Sequence, residues 1–204
     1  MGMSLNPEPS PRLTLRLTGE PSISAPGQTP RALERRDAAL LAMLALDGPQ
    51  PRARLARWLW PAVDDAAALR NLRQRFFRLA RANGGVAAIE GQGTVRLCAQ
   101  VAHDLDAAAA VARAEENRPL LGAFDYDDCE PLAERIDALR ARWRRMCVDA
   151  LDGALSAAEQ DDRLDEALAL ADRAVALQPD ADRAWERLLS LHLARGESTQ
   201  GLAA

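Results

Sequence analysis

An arginine-rich segment in the first half of the chain constrains the fold more than any other feature. A proline stop at Pro61 and an acidic capping residue, Asp64 or Asp65, precede residues 66–82, where apolar side chains recur at helical spacing. Asn83 and the two glycines after it end the pattern. A short helix predicted over 51–60 ends at Pro61, so two helices are joined by a tight turn. This is the arrangement of a helix–turn–helix.

The helix predicted over 66–82 has two contrasting faces. At about 100° per residue, its core-facing stripe is predicted to contain Leu69, Leu72, Phe76 and Leu79. The opposite face carries arginine and amide side chains with no acid, namely Arg70, Gln74, Phe77, Arg78 and Arg81, with Asn71 at its edge. Arginine can pair with guanine, Asn or Gln can pair with adenine, and further arginines can hold phosphate. The pattern predicts a helix that enters the major groove of double-stranded DNA.

A charged outer face can also be no more than a solvated face, but a solvated face normally mixes both signs. The formal net charge of the chain is −4, yet residues 31–81 hold eleven arginines against five acidic residues. Residues 82–204 hold thirteen arginines against twenty-three acidic residues. Basic charge is thus concentrated where a DNA-binding helix needs it.

The segments around this helix complete a small domain. Residues 12–17 alternate as a half-buried strand, a further short strand has room near Ile23, and helices are predicted over 31–46 and 51–60. Two short strands, 86–90 and 94–98, flank a glycine turn as a β-hairpin. A helix–turn–helix followed by a hairpin is a winged helix, predicted over 12–103. Within the hairpin Arg96 is the only cation, so we expect a weak contribution to DNA binding; Arg73 and Arg96 complete the predicted site.

The second half, 104–204, is predicted to be all helical. Helices are expected over 104–117, 130–159, 164–177 and 181–195. Asp165-Glu166-Ala167-Leu168-Ala169 aligns with Thr199-Gln200-Gly201-Leu202-Ala203 at an offset of 34 residues, which is the period of tetratricopeptide-type helix pairs. This half is expected to be a protein-interaction scaffold, truncated within a repeat at its C-terminus. An apolar edge is predicted around Leu188, Leu191 and Leu202, with weak self-association as its consequence.

The order of these parts resembles a known family, the SARP-like bacterial transcriptional activators, which join an OmpR-type winged helix to a bacterial transcriptional activator domain. The resemblance covers roughly residues 12–204 and is carried by Arg54-Leu55-Ala56, Leu59-Trp60-Pro61, Asn71-Leu72-Arg73-Gln74, Leu121-Gly122-Ala123-Phe124-Asp125 and Arg142-Trp143. It implies a DNA-binding transcriptional activator that binds promoter DNA, with RNA polymerase and further copies of itself as possible partners. Phe77 stands where the family usually has a small or polar residue, and Arg75 where it more often has an aliphatic one.

Signatures of other functions are missing from the sequence. His103 and His192 are far apart, and the three cysteines form no CxxC pair, so neither a catalytic site nor a metal or cofactor site is predicted. No apolar run is long enough to span a membrane. The cysteine pattern suits a reducing cytoplasm. Two functions stay open: a DNA-binding regulator, and a protein-interaction module whose winged helix no longer touches DNA. Phe77 and the acidic second half favour the latter.

Overall fold

The computed structural model describes residues 13–115 and 118–196, and it is mainly helical with a small β component. In chain order the elements are β1 (Leu13–Arg16), β2 (Ser22–Ser24), β3 (Arg31–Ala32), α1 (Arg35–Asp47), β4 (Gln50–Pro51), α2 (Arg52–Leu59), α3 (Asp65–Ala82), β5 (Ile89–Glu90), β6 (Thr94–Leu97), β7 (Val101–His103), α4 (Ala107–Glu115), α5 (Glu130–Gln160), α6 (Leu164–Leu177) and α7 (Asp182–Ala194). No helix among the described residues is both long enough and apolar enough to cross a membrane.

The chain divides into two compact units. Their limits differ from the predicted domain limits of 12–103 and 104–204. The first unit contains the residues up to Asp104 together with Pro119–Leu139, and the second contains Leu105–Arg118 and the residues from Arg140 onward. The sequence pattern places residues 119–139 in the helical half. They join the first unit because their backbone and side chains find partners there.

Three contacts show how residues 119–139 are held in the first unit. The backbone N–H of Leu121 donates to the carbonyl of Leu17 at 2.7 Å. The hydroxyl of Tyr126, a buried side chain, donates to the carbonyl of Arg35 at 2.9 Å. Arg135 on α5 pairs with Asp47 at the end of α1. These partners lie 88 to 104 positions apart along the chain, so the local periodicity of the sequence could not predict these contacts.

The first unit opens with a four-stranded sheet in the order β3-β2-β1-β7. In β1 the leucines are buried and the residues between them exposed, as the alternation predicts. Strand β1 pairs antiparallel with β2 and parallel with β7. Arg31, which the sequence placed at the start of the first helix, instead pairs with Ile23 in strand β3, and α1 begins only at Arg35. Pairing with β2 gives this segment an alternative to the helical hydrogen bonds.

A buried carboxylate ties the end of β1 to the segment after β7. One Asp104 oxygen accepts from the backbone N–H of Leu17 at 2.7 Å. The other accepts from the Thr18 hydroxyl at 2.7 Å and from the Thr18 N–H at 3.2 Å. Because a buried charge is costly unless it is hydrogen-bonded, these three donors make the burial of Asp104 tolerable.

Helices α1, α2 and α3 and a second small sheet form the rest of the first unit. Helix α1 is almost entirely buried, and α2 packs closely against α3. The sheet has the order β4-β6-β5, with β5 and β6 paired as the predicted hairpin. Its strands are shorter than the predicted ones, and β4 was not predicted, since two residues are too few to show an alternation.

The second unit contains α4, the later part of α5, α6 and α7. The bounds of α6 and α7 confirm the helices predicted over 164–177 and 181–195. The guanidinium of Arg187 on α7 donates to Glu159 on α5, with one hydrogen bond of 2.6 Å, and to the Ser156 hydroxyl at 2.9 Å. These interactions join the last described helix to α5.

The predicted apolar edge at Leu188 and Leu191 is wrong. Both side chains are buried within the second unit, which removes the basis for expecting self-association through them. The large apolar side chain that α7 exposes is Leu193. Leu202 and the residues 199–203 of the 34-residue alignment lie outside the described residues.

Candidate nucleic-acid interface

Helix α3 begins and ends where its capping residues predict. The Asp64 carboxylate accepts a hydrogen bond from the N–H of Ala67 at 2.8 Å, which satisfies one of the free donors in the first turn. At the other end Asn83 is the C-cap, and Gly84 and Gly85 take positive φ angles of 67° and 88°. The arginine-rich face therefore runs along 18 residues of regular helix.

The structure brings the predicted α3 site residues together on one solvent-facing surface, here called the arginine face. Its exposed members are Arg70, Arg73, Gln74, Phe77, Arg78 and Arg81, with the half-buried Asn71 at its edge. The predicted exposure of Phe77 is confirmed, since 67% of its surface is accessible. The face thus offers guanidinium groups, an amide and an aromatic ring to a ligand.

Four arginines of this face have no carboxylate as an ion-pair partner among the described residues. Among the described residues, no carboxylate lies within ion-pair distance of Arg70, Arg73, Arg78 or Arg81; the arginines with such partners include Arg35, Arg57, Arg75, Arg96, Arg135, Arg163, Arg187 and Arg195. Four cations without an ion-pair partner on one helix face produce a positive potential that favours an anionic ligand.

Arg96 does not belong to the arginine face. It lies on β6, opposite Glu90 on β5, and the two side chains form an exposed ion pair of 2.7 Å. A cation that is already paired contributes less to anion binding than a free one. We therefore expect Arg96 to contribute little to DNA binding. The sequence predicted the same from the fact that Arg96 is the only cation of the hairpin.

The buried stripe of α3 differs from the predicted one. Ala68, Leu72 and Leu79 are buried, Phe76 is half-buried, and Leu69 is 38% exposed. Leu72 keeps its predicted place in the core, but the core side of the helix is rotated away from Leu69 toward Ala68 and Arg75. Sequence hydrophobicity alone overlooked an alanine and an arginine on the inward side.

Arg75 turns inward because it meets two carboxylates, that of Asp37 in α1 and that of Glu34 just before α1. Its guanidinium lies 3.3 Å from the buried carboxylate of Asp37 and also pairs with the exposed Glu34. The hydrogen bond and charge of Arg75 lower the pKa of Glu34. The sequence did not predict a role for Asp37, because a single acidic residue in an apolar helix gives no indication of its partner. Its ion pair with Arg75 holds that side of α3 toward α1, so the arginine face points outward.

Asp37 makes the stability of the first unit depend on pH. Burial raises the pKa of Asp37 from 3.8 to about 6, although the positive charges of Arg75, Arg31 and Arg78 act against the rise and Glu34 adds to it. The folded state then binds a proton more tightly than the unfolded state. This contribution stabilises the fold below about pH 4 and is lost as the pH rises through about 6, by an amount of the order of 3 kcal/mol.

We therefore expect Asp37→Asn to flatten the decline in stability between pH 4 and pH 6.5 relative to the parent, because the variant cannot lose that proton. Urea unfolding at several pH values measures this difference, and the other carboxylates are common to both proteins. Parallel pH profiles for the two proteins would show that Asp37 titrates normally.

Arg52 holds the tip of the hairpin beside α3. Its backbone N–H donates to the carbonyl of Gly93 at 2.9 Å, and its guanidinium donates to the carbonyl of Gln92 at 3.2 Å. The same guanidinium stacks 5.1 Å from the centre of the Phe76 ring. The turn also needs Gly91, because a side chain there would place its Cβ 2.1 Å from the Thr94 carbonyl oxygen. The hairpin tip is thus fixed next to the helix that carries the arginine face.

Within the described part of the chain, no three His, Cys, Asp or Glu side chains are grouped to hold a metal ion. The acidic segment after Phe124 has a structural role, since Asp128 accepts from Arg35 at 2.5 Å and the Asp125 carbonyl accepts from the same side chain at 2.6 Å. Compared with known proteins, the chain matches no family model and no curated protein.

Proposed function

We propose that this chain is a DNA-binding transcriptional regulator that reads promoter DNA with α3. The observation that carries the proposal is the arginine face: four exposed arginines without acidic partners among the described residues, on the helix that follows a tight turn. Phosphate groups of a duplex would neutralise such cations, and Arg, Asn and Gln are the side chains that pair with base edges in the major groove.

The arrangement of elements supports a winged helix–turn–helix for the first unit. Helix α2 is short, α2 packs closely against α3, and the β5–β6 hairpin follows α3 directly. In such domains the second helix of the pair is the recognition helix. The inward pairing of Arg75 with α1 orients the arginine face toward solvent, which is the orientation that groove insertion requires.

The resemblance to SARP-like activators extends this proposal. It assigns residues 104–204, which include the second unit, to a tetratricopeptide-like activator domain in which α6 and α7 are successive repeat helices. Such a protein works in the cytoplasm, and the second unit would offer the contact surface for RNA polymerase or for another copy of the chain. Its acidic balance is consistent with contacts to protein and not to DNA.

Selection of duplexes from a random-sequence pool, followed by a salt titration of the best duplex, tests the proposal with the full chain. We expect an enriched sequence bound about a thousandfold or more tighter than unrelated duplex. The logarithm of its binding constant should fall linearly with the logarithm of salt concentration, by about 0.9 per phosphate contact. Absence of both enrichment and salt dependence would contradict DNA binding.

A protein-interaction module is the second candidate, and the exposed Phe77 and Leu69 favour it. Apolar side chains exposed on one helix often mark a protein contact. In that case duplex DNA would bind only weakly and without sequence preference, so the same selection distinguishes the two functions.

A further inference from the structure

Phe77 is the most exposed large apolar side chain that the structure describes, and it lies within the arginine face. Arg73 and Arg81 are one turn away on either side, at i−4 and i+4, and Gln74 is at i−3. The arginine–aromatic stacks among the described residues use Tyr126, Trp60, Phe76 and Trp58, and none uses Phe77. The ring is therefore available to a ligand that also meets the surrounding cations.

This combination restricts the chemistry of the ligand. The arginines without acidic partners favour a polyanion, and the ring favours a ligand that carries an apolar group between its anionic groups. The major groove of DNA offers both, because its one apolar substituent is the C5-methyl group of thymine, flanked by the phosphates. A 5-methylcytosine base carries a methyl group at the same ring position.

We propose that Phe77 reads a pyrimidine C5-methyl group in the major groove, so that the preferred DNA site contains thymine, or methylated cytosine, at the position it contacts. This inference rests on the proposed DNA-binding function. It adds a specificity determinant that hydrogen bonding cannot supply, since arginine and amide side chains read donors and acceptors but not a methyl group.

The size of the effect follows from the area buried. Removing one methyl group from an apolar contact lowers affinity by about three- to fivefold. Phe77→Ala should leave the fold intact because the ring is exposed, and thermal unfolding followed by circular dichroism checks this.

The test uses the full chain and the duplex chosen by selection. Each thymine is replaced in turn by deoxyuridine, which differs only in lacking the methyl group, and each cytosine by 5-methylcytosine. We expect the parent to bind about three- to fivefold more weakly when one or two of the thymines are replaced. At a position where deoxyuridine weakens binding, a 5-methylcytosine–guanine pair should be bound more tightly than a cytosine–guanine pair by a similar factor. Phe77→Ala should bind thymine and deoxyuridine duplexes equally at these positions.

Leu69→Ala is the matched control, because it also truncates an exposed apolar side chain of α3, on the flank of the arginine face. It should keep the parent's preference for the methyl group. If the parent binds its duplex specifically but tolerates deoxyuridine everywhere, or if Phe77→Ala retains the preference, the inference is wrong while DNA binding stands. If the parent binds no duplex specifically, the proposed function itself fails.

Discussion

Replacing Arg70 and Arg78 together with alanine is expected to lower affinity for the preferred duplex by about thirtyfold or more. Removing one hydrogen bond or ion pair to a base edge or phosphate costs about 1–3 kcal/mol, and a tenfold change in affinity corresponds to about 1.4 kcal/mol. Both side chains are exposed, and neither has an acidic partner among the described residues, so the substitutions affect the ligand without breaking internal ion pairs. Fluorescence anisotropy with the labelled duplex measures the change.

A matched control separates this effect from net charge. Arg144 and Arg145 are exposed on α5 in the second unit, and their replacement with alanine removes the same two charges. We expect that variant to bind nearly as well as the parent. The salt slope of the Arg70 and Arg78 variant should also fall by about one for each phosphate that is no longer neutralised. Equal decreases in affinity for the two variants would show that binding follows total charge and would refute the assignment to α3.

Leu72→Ala is expected to cost about 2–5 kcal/mol of stability, whereas Leu69→Ala should cost less than about 1 kcal/mol. Leu72 is fully buried, so its truncation removes apolar burial and leaves a cavity. Leu69 is 38% exposed and loses much less. The two leucines are three positions apart on one helix and have the same chemistry, which makes them a matched pair.

Urea unfolding measures both free energies. Because small domains have a total stability of only about 5–15 kcal/mol, the Leu72 variant can unfold partly at ordinary temperatures. Equal destabilisation by the two substitutions would place Leu69 in the core, as the sequence pattern suggested, and would contradict the observed orientation of α3.

Phe76 is half-buried beneath Arg52, so we expect its truncation to cost less than the roughly 3–5 kcal/mol typical of a fully buried phenylalanine.

Local sequence determined the extent of α3 and the composition of its outer face. Asp64 supplies an acceptor for the first turn, and Asn83 with the following glycines ends the helix, so both limits follow from interactions within a few residues. The helical period then places Arg70, Gln74 and Phe77 on one side. The helices α6 and α7 were predictable for the same reason, since their spacing of apolar residues is local.

Only the tertiary structure decided which face of α3 is turned inward and which residues belong to the first unit. The inward face includes Arg75 because Asp37, 38 positions earlier, lies beneath it; hydrophobicity counted this arginine as polar and Leu69 as core. Arg31 became a strand residue through pairing with β2, and Leu188 and Leu191 were covered within the second unit. Residues 119–139 joined the first unit through partners far away in sequence. Each outcome depends on an interaction between segments that are distant in the sequence. A periodic pattern of apolar residues depends only on residues close together in the chain, so it cannot predict such interactions.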